Sequence, residues 1–121
     1  MDNRQFAKML EQRTKDFAVR VIHLSIQLPA TPEGKAIRNQ IVRSSTSVGA
    51  NYREANRSRN KADFRNRIAL CESEASETQY WMEIIREMNW LSEDQLKSDC
   101  KECTELLALF TSIGRNRSTR A

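Results

Sequence analysis

Three cysteines, one histidine and a run of glutamates are the side chains in this 121-residue chain that could bind a metal or attack a substrate. Cys100-Lys101-Glu102-Cys103 has the Cys-x-x-Cys spacing found in zinc sites and redox dithiols. A zinc site needs about four ligands, and the remaining candidates are Cys71 and His23. If the helices carrying them fold back near Trp90, Cys103 lies level with Thr78. Cys71 is then seven residues further along, about 10 Å at the helical rise. All three cysteines also fall on apolar stripes, where Cys serves as a small hydrophobic side chain. A redox dithiol normally sits beside a βαβ unit, and no such pattern occurs here. Glu72, Glu74 and Glu77 suggest a carboxylate metal site. Di-iron bundles, however, need a Glu-x-x-His pair on each of two facing helices, and one histidine cannot supply both. No Gly-rich phosphate loop or Ser-His-Asp pattern is present. The expectation is core thiols, no catalytic residue, no metal, no cofactor and no enzymatic activity.

The second chemistry is charge. Arg53, Arg57, Arg59, Lys61, Arg65 and Arg67 crowd one short segment and are opposed there only by Glu54 and Asp63. Guanidinium groups suit phosphate because they stay charged and bind it bidentately. Residues 1–71 carry 14 basic and 6 acidic side chains, whereas residues 72–105 carry 3 basic and 10 acidic. The last sixteen residues add Arg115, Arg117 and Arg120 with no acid. This polarity admits two readings, a nucleic-acid surface or ion pairing between helices and subunits.

The elements that must position these groups are helices. Phe64, Ile68, Cys71, Ala75, Thr78, Met82, Ile85 and Asn89 alternate four and three apart, which holds one stripe against a partner. Leu10, Thr14, Phe17, Val21, Leu24 and Leu28 repeat the alternation. Phe6, Val19, Ile22 and Ile26 widen that stripe, as if more than one neighbour were covered. A third stripe is Ile37, Ile41, Ser44 or Ser45, Val48, Tyr52 and Ala55. A fourth is Leu96, Cys100, Cys103, Leu107 and Phe110. The sequence predicts helices over about 3–28, 32–56, 61–88 and 93–113. Thr31, Asn60 and Ser92 are the expected N-caps, the last in a capping box with Gln95. Gly114 is the expected stop, and 115–121 a flexible basic tail. Gly49, among the small residues from Ser44 to Ala50, is expected where two helices approach closely, the competing reading being a break in the second helix. Connections of a few residues make sequential helices antiparallel neighbours. The fold class is all-α, an up-down-up-down four-helix bundle over residues 1–114.

Apolar residues make up 39% of the chain and charged residues 30%, with only three glycines and two prolines. That composition suits a soluble helical domain and argues against an all-β fold. No apolar run reaches the roughly 18 residues of a membrane span. The first residues lack a secretory core, and three cysteines suggest free thiols, so a cytoplasmic location is expected.

The segment Ser47-Val48-Gly49-Ala50-Asn51-Tyr52-Arg53-Glu54-Ala55, followed by Lys61-Ala62-Asp63-Phe64 and Ser73-Glu74-Ala75-Ser76-Glu77, resembles a known family. It is similar to the bacterial four-helix bundle proteins encoded in 23S rRNA intervening sequences. Their pattern is Ser, then Ala-Asn-Ile-x-Glu-Gly, a Lys-x-x-Phe opening the third helix, and a Ser-x-x-Glu upon it. Tyr52 stands where Ile is usual and Ala55 where Gly is usual. The resemblance covers essentially the whole chain. It implies a non-enzymatic cytoplasmic bundle that forms a ring-like homopentamer. Related accessory proteins of diversity-generating retroelements carry a basic surface for RNA and a reverse transcriptase. Asn51, Glu54, Phe64 and Glu77 match the motif and are expected to be structural; the polar ones suggest an inter-helix network, for example Asn51 or Glu54 with an arginine, or with Glu77 through one.

Two functions follow as expectations. In the first, a homo-oligomer holds RNA electrostatically through the basic cluster and the tail arginines, alone or with a nucleic-acid-processing protein. In the second, the chain is a structural adaptor with no nucleic acid. Trp81, Ile84, Met88 and Trp90, off or beyond the main stripe, would then form the oligomer interface.

Overall fold

Each helix starts on a side chain that satisfies its first free backbone N–H groups. Thr31 Oγ1 accepts from Gly34 N at 3.1 Å, and Asn60 Oδ1 accepts from Asp63 N at 2.8 Å. Ser92 and Gln95 exchange reciprocal bonds at 2.8 and 3.2 Å, and Asp2 and Gln5 form the same box at the N-terminus. The computed structural model describes residues 1–119 and shows α1 (Asn3–Ile26), α2 (Pro32–Ala55), α3 (Lys61–Glu87) and α4 (Glu93–Thr119). Arg120 and the side chain of Arg117 lie outside the described residues.

Two boundaries depart from the sequence reading. Helix α4 runs past Gly114 to Thr119, because no proline breaks it and Gly114 keeps a negative φ. Its first residues beyond Gly114 are therefore helical and not a loose tail. At the other end of α3, Asn89 leaves the stripe and takes a left-handed φ of 58°. Trp90 N then reaches Ile85 O at 3.3 Å and Asn89 N reaches Arg86 O at 3.0 Å, the paired bonds of a Schellman ending.

The helices pack as an antiparallel bundle. Ser25 faces Arg38 and Glu11 faces Asn56 between α1 and α2. Ser44 faces Thr78 and Asn51 faces Arg67 between α2 and α3. Arg86 faces Cys100 and Glu72 faces Thr111 between α3 and α4. The core is built from the expected stripes, with Leu10, Phe17, Ile41, Ile68, Met82, Leu96 and Phe110 all but fully buried. On α4, Leu106 occupies the core, whereas Cys100 and Leu107 are only half-buried. Buried hydroxyls are satisfied: Thr14 donates to Leu10 O at 2.9 Å within its own helix, and Thr78 lies 2.8 Å both from Glu74 O on its own helix and from Ser44 Oγ on α2. Helix α2 is unbroken through Gly49, where α1 comes so close that a Cβ would lie 2.9 Å from Thr14 Oγ1.

Val19, Ile22 and Ile26 do not widen the core stripe. They are 48%, 37% and 66% exposed. Val19 and Ile26 stand about half a turn away from Leu10, Phe17 and Leu24, so no neighbouring helix can cover them.

Candidate nucleic-acid interface

The α2–α3 connection is held by its own backbone, which leaves its cations free to point outward. Asn56 N bonds Tyr52 O at 3.1 Å, Arg57 N bonds Glu54 O at 3.0 Å and Ser58 N bonds Ala55 O at 3.1 Å. Arg53, Arg57, Arg59 and Lys61 are exposed, and none makes an ion pair among the described residues.

Arg65 and Arg67 do not share that arrangement. Two helical residues turn by about 200°, so the pair splits across α3. Arg67 is half-buried toward α2 and donates to Asn51 Oδ1 at 3.3 Å. Arg65 lies on the α4 side, in line with Glu72, which accepts from Thr111 Oγ1. The six residues adjacent in sequence therefore form one exposed group of four and two separate flanking positions.

The motif residues are likewise divided. Asn51 accepts from Arg67 and donates to Ser47 O at 2.8 Å, so it ties α2 to α3. Glu77 pairs with Arg43 and accepts from Trp81 Nε1 at 3.0 Å, while Arg43 also reaches Glu74 at 3.2 Å. Glu54 stands exposed and outside this network. Phe64 is half-buried against the core at the end of the bundle.

Trp81 and Trp90 are half-buried and pack on the chain's own core, and Ile84 is half-buried. Trp81 also meets Tyr80 edge-on with ring centres 5.1 Å apart. The most exposed apolar groups along this stretch are Tyr80 and Met88, at 54% and 51%.

The thiols are built for packing. Burial pushes Cys71 and Cys103 up to about 12, and Cys100 is raised by burial too. A raised thiol holds its proton and is a poor nucleophile and a poor metal ligand. Cys103 Sγ donates to Ala75 O at 3.3 Å, and Cys100 Sγ lies 3.6 Å from Met82 Sδ. Among the described residues no three His, Cys, Asp or Glu side chains are placed to hold a metal ion.

Ion pairs close three of the four seams between neighbouring helices. Arg13 binds Glu102 at 2.7 Å and Glu105 at 2.9 Å, and Arg20 binds Asp99 at 2.7 Å, all between α1 and α4. The hydrogen-bonded Glu102 carboxylate fixes the Arg13 charge more firmly still. Arg43 with Glu74 and Glu77 closes α2–α3, and Arg86 with Glu93 at 2.8 Å closes α3–α4. The α1–α2 seam has no ion pair among the described residues. It carries a groove of about 340 Å3 whose cations are Lys8, Lys15, Arg53 and Arg57. A second, wider depression of about 640 Å3 continues through Lys8 to Arg4, Arg59 and Lys61.

Arg4, Lys8 and Lys15 were not singled out by sequence reasoning. The signal was the antiparallel register: reflecting α1 onto α2 about the Pro29–Pro32 turn sets Lys8 beside Arg57.

An antiparallel four-helix bundle with one cation-lined seam is the class of protein that this fold and surface define. The chain belongs to the 23S rRNA-intervening sequence protein family, whose model matches residues 9–112. It is also similar to a solved structure from Bacteroides thetaiotaomicron, a protein of unknown function from the S23 ribosomal protein family. The two share 35% identity over 86% of this chain and 96% of that one, with a TM-score of 0.80. Comparison with curated proteins finds no match. No helix is long and apolar enough to cross a membrane among the described residues.

Proposed function

We propose that this protein is a non-enzymatic, self-associating scaffold of the cytoplasm that holds RNA on its basic surface. The observation that carries the reading is the sorting of its cations. Arg13, Arg20, Arg43 and Arg86 are consumed by carboxylates at the seams. Arg53, Arg57, Arg59 and Lys61 are exposed and have no such partner among the described residues. Uncompensated cations in one region are what a phosphate backbone recognises, and binding through them is steeply salt-dependent. Arg65 and Arg67 would contribute from the flanks. The face bearing Trp81, Ile84, Met88 and Trp90 would join copies of the chain, up to the pentamer that the family resemblance suggests.

A second reading, a protein adaptor, is favoured by exposed Tyr80 and Met88 beside half-buried Trp81 and Ile84. Size-exclusion chromatography with light scattering decides between the two. Runs would be made with and without a mixed RNA pool, at about 50 mM and about 500 mM salt. The scaffold reading expects an oligomer that takes up RNA at low salt only. It also expects loss of uptake in Arg57→Glu/Arg59→Glu/Lys61→Glu with the helical circular-dichroism signal intact. An oligomer indifferent to RNA at both salts overturns that reading and leaves the adaptor.

A further inference from the structure

We infer that the α1–α2 seam is a track for the phosphates of a single-stranded RNA, with α1 supplying half of its cations. The inference rests on the nucleic-acid reading above and assigns that reading a route, a strand state and new residues. Three observations point to it.

The first is electrostatic. Lys8 and Lys15 on α1 face Arg53 and Arg57 on α2, and Glu11 is the single carboxylate lining the same groove. Glu11 is already engaged, accepting from Asn56 Nδ2 at 2.9 Å. The other three seams answer their arginines with glutamate or aspartate, whereas this one sets Thr46, Gly49 and Ala50 opposite its lysines. Four cations with one carboxylate among them leave the seam with an excess of positive charge. An arriving polyanion neutralises that excess.

The second is shape. Ala18, Gly49 and Ala50 line the groove with side chains too small to fill it, so the cations form rims around a concavity. The wider depression shares Lys8 and Glu11 with it, so the two join. From Lys15 to Arg4 the path runs eleven residues of α1, about 16 Å at the helical rise. That length faces several consecutive phosphates. Proteins that bind double-stranded RNA lie across its wide, shallow minor groove and contact the phosphates and 2′-hydroxyls on either side. Here the charge lines a slot, the form that follows one flexible strand.

The third is chemistry. The side chains lining the narrow groove are basic, acidic, small or amide and include no aromatic ring. Bases find no stacking platform in that groove, and Phe64 is the one ring among the described residues lining the wider depression, so recognition is chiefly by phosphate and largely indifferent to sequence.

The test uses the full chain and three fluorescent probes: a 20-nucleotide oligouridine, a 20-base-pair RNA duplex and a polyglutamate of matched charge. Binding is followed by anisotropy across a salt series. The track expects oligouridine to bind more tightly than duplex and polyglutamate. It also expects Lys8→Gln/Lys15→Gln to weaken oligouridine binding at least tenfold at low salt. That double variant should reduce the slope of log K against log salt by about 1.4, the share of two phosphate contacts on a single strand. Both lysines are exposed and make no ion pair, so the variant keeps its fold, checked by circular dichroism. Lys97→Gln/Lys101→Gln, on α4, is the control and should bind as wild type. If wild type binds neither RNA, the nucleic-acid reading itself fails. If wild type binds RNA but the Lys8/Lys15 variant is unchanged while Arg57→Glu/Arg59→Glu/Lys61→Glu loses binding, the track alone is overturned. Equal or tighter binding of duplex or polyglutamate also overturns it.

Discussion

Replacing Gly34 by alanine sets two effects of known sign against each other. In a helix, alanine is favoured over glycine by about 1 kcal/mol, so propensity alone predicts a more stable protein. Gly34 lies in the first turn of α2, folded under the turn that follows α1. A Cβ there would sit 2.0 Å from Pro29 O and 2.9 Å from Pro29 C. Both are backbone atoms, which cannot rotate away as a side chain can. The Pro29–Thr31 turn must move by about an ångström, and three anchors oppose this. Thr31 caps α2 through Gly34 N at 3.1 Å, Arg38 Nη2 holds Leu28 O at 2.9 Å, and Leu28 itself is buried. Overpacking of this kind costs about 1–3 kcal/mol, and a lost cap adds about 1 kcal/mol. After the propensity gain, the net expectation is a loss of about 2 kcal/mol.

For a domain of this size each kcal/mol moves the melting temperature by about 4 °C, so Gly34→Ala should melt about 8 °C below wild type. Urea unfolding followed at 222 nm supplies the free energy, with the same denaturant slope expected for both proteins. Ala36→Gly, two residues on at an exposed helical site, gives the pure propensity term. A Gly34→Ala protein as stable as wild type would refute the close approach, and one more stable would invert the sign of the argument.

Three further outcomes follow from the same packing. Gly49→Ala meets Thr14 Oγ1 at 2.9 Å and Thr14 Cβ at 3.1 Å. Because part of that contact is a side chain, urea unfolding should show a smaller loss, about 1 kcal/mol. The buried thiols give a pH signature. An unfolded thiol ionises from about pH 9, but Cys71 and Cys103 hold their protons in the fold until about 12. Their stabilisation is therefore full below pH 9 and is lost as pH rises from 9 toward 12. Cys71→Ala should show a shallower fall in unfolding free energy between pH 9 and 11 than wild type. A thiol reagent at pH 8 should label Cys100 before the other two. Equal labelling of all three would contradict the burial argument.

What was legible in the sequence was what local chemistry decides. Thr31, Asn60 and Ser92 act as caps because an N-cap bonds only three residues ahead, and the heptad stripes enter the core because periodicity fixes a face. Gly114 failed as a stop because glycine permits a left-handed ending without imposing one. Val19, Ile22 and Ile26 failed as core because a window of sequence registers apolar residues without showing where the neighbours stand. Arg65 and Arg67 were joined by proximity along the chain, although α3 turns them to opposite flanks. Lys8 and Lys15 were passed over for the opposite reason. Their partners, Arg53 and Arg57, are more than thirty residues away, and only the register of α1 on α2 brings the four together.

The contrast among seams bears on why the cations are where they are. Arg13 and Arg43 each gather two carboxylates, an arrangement that locks a helix pair in register at the cost of fixing long side chains. The α1–α2 pair achieves its register by other means. Gly49 lets the backbones close on Thr14, and Arg38 caps Ser25 O and Leu28 O at 3.1 and 2.9 Å. No ion pair is needed to hold this seam. Glutamate at positions 8 and 15 would oppose Arg57 and Arg53 across the seam, whereas lysine there has only Glu11, three residues after Lys8 and four before Lys15, as a carboxylate partner in the groove. A net positive charge that no ion pair across this seam uses, among the described residues, is available to a partner outside the fold. At this seam the proposed RNA track would use that charge, with an anion long enough to lie along it.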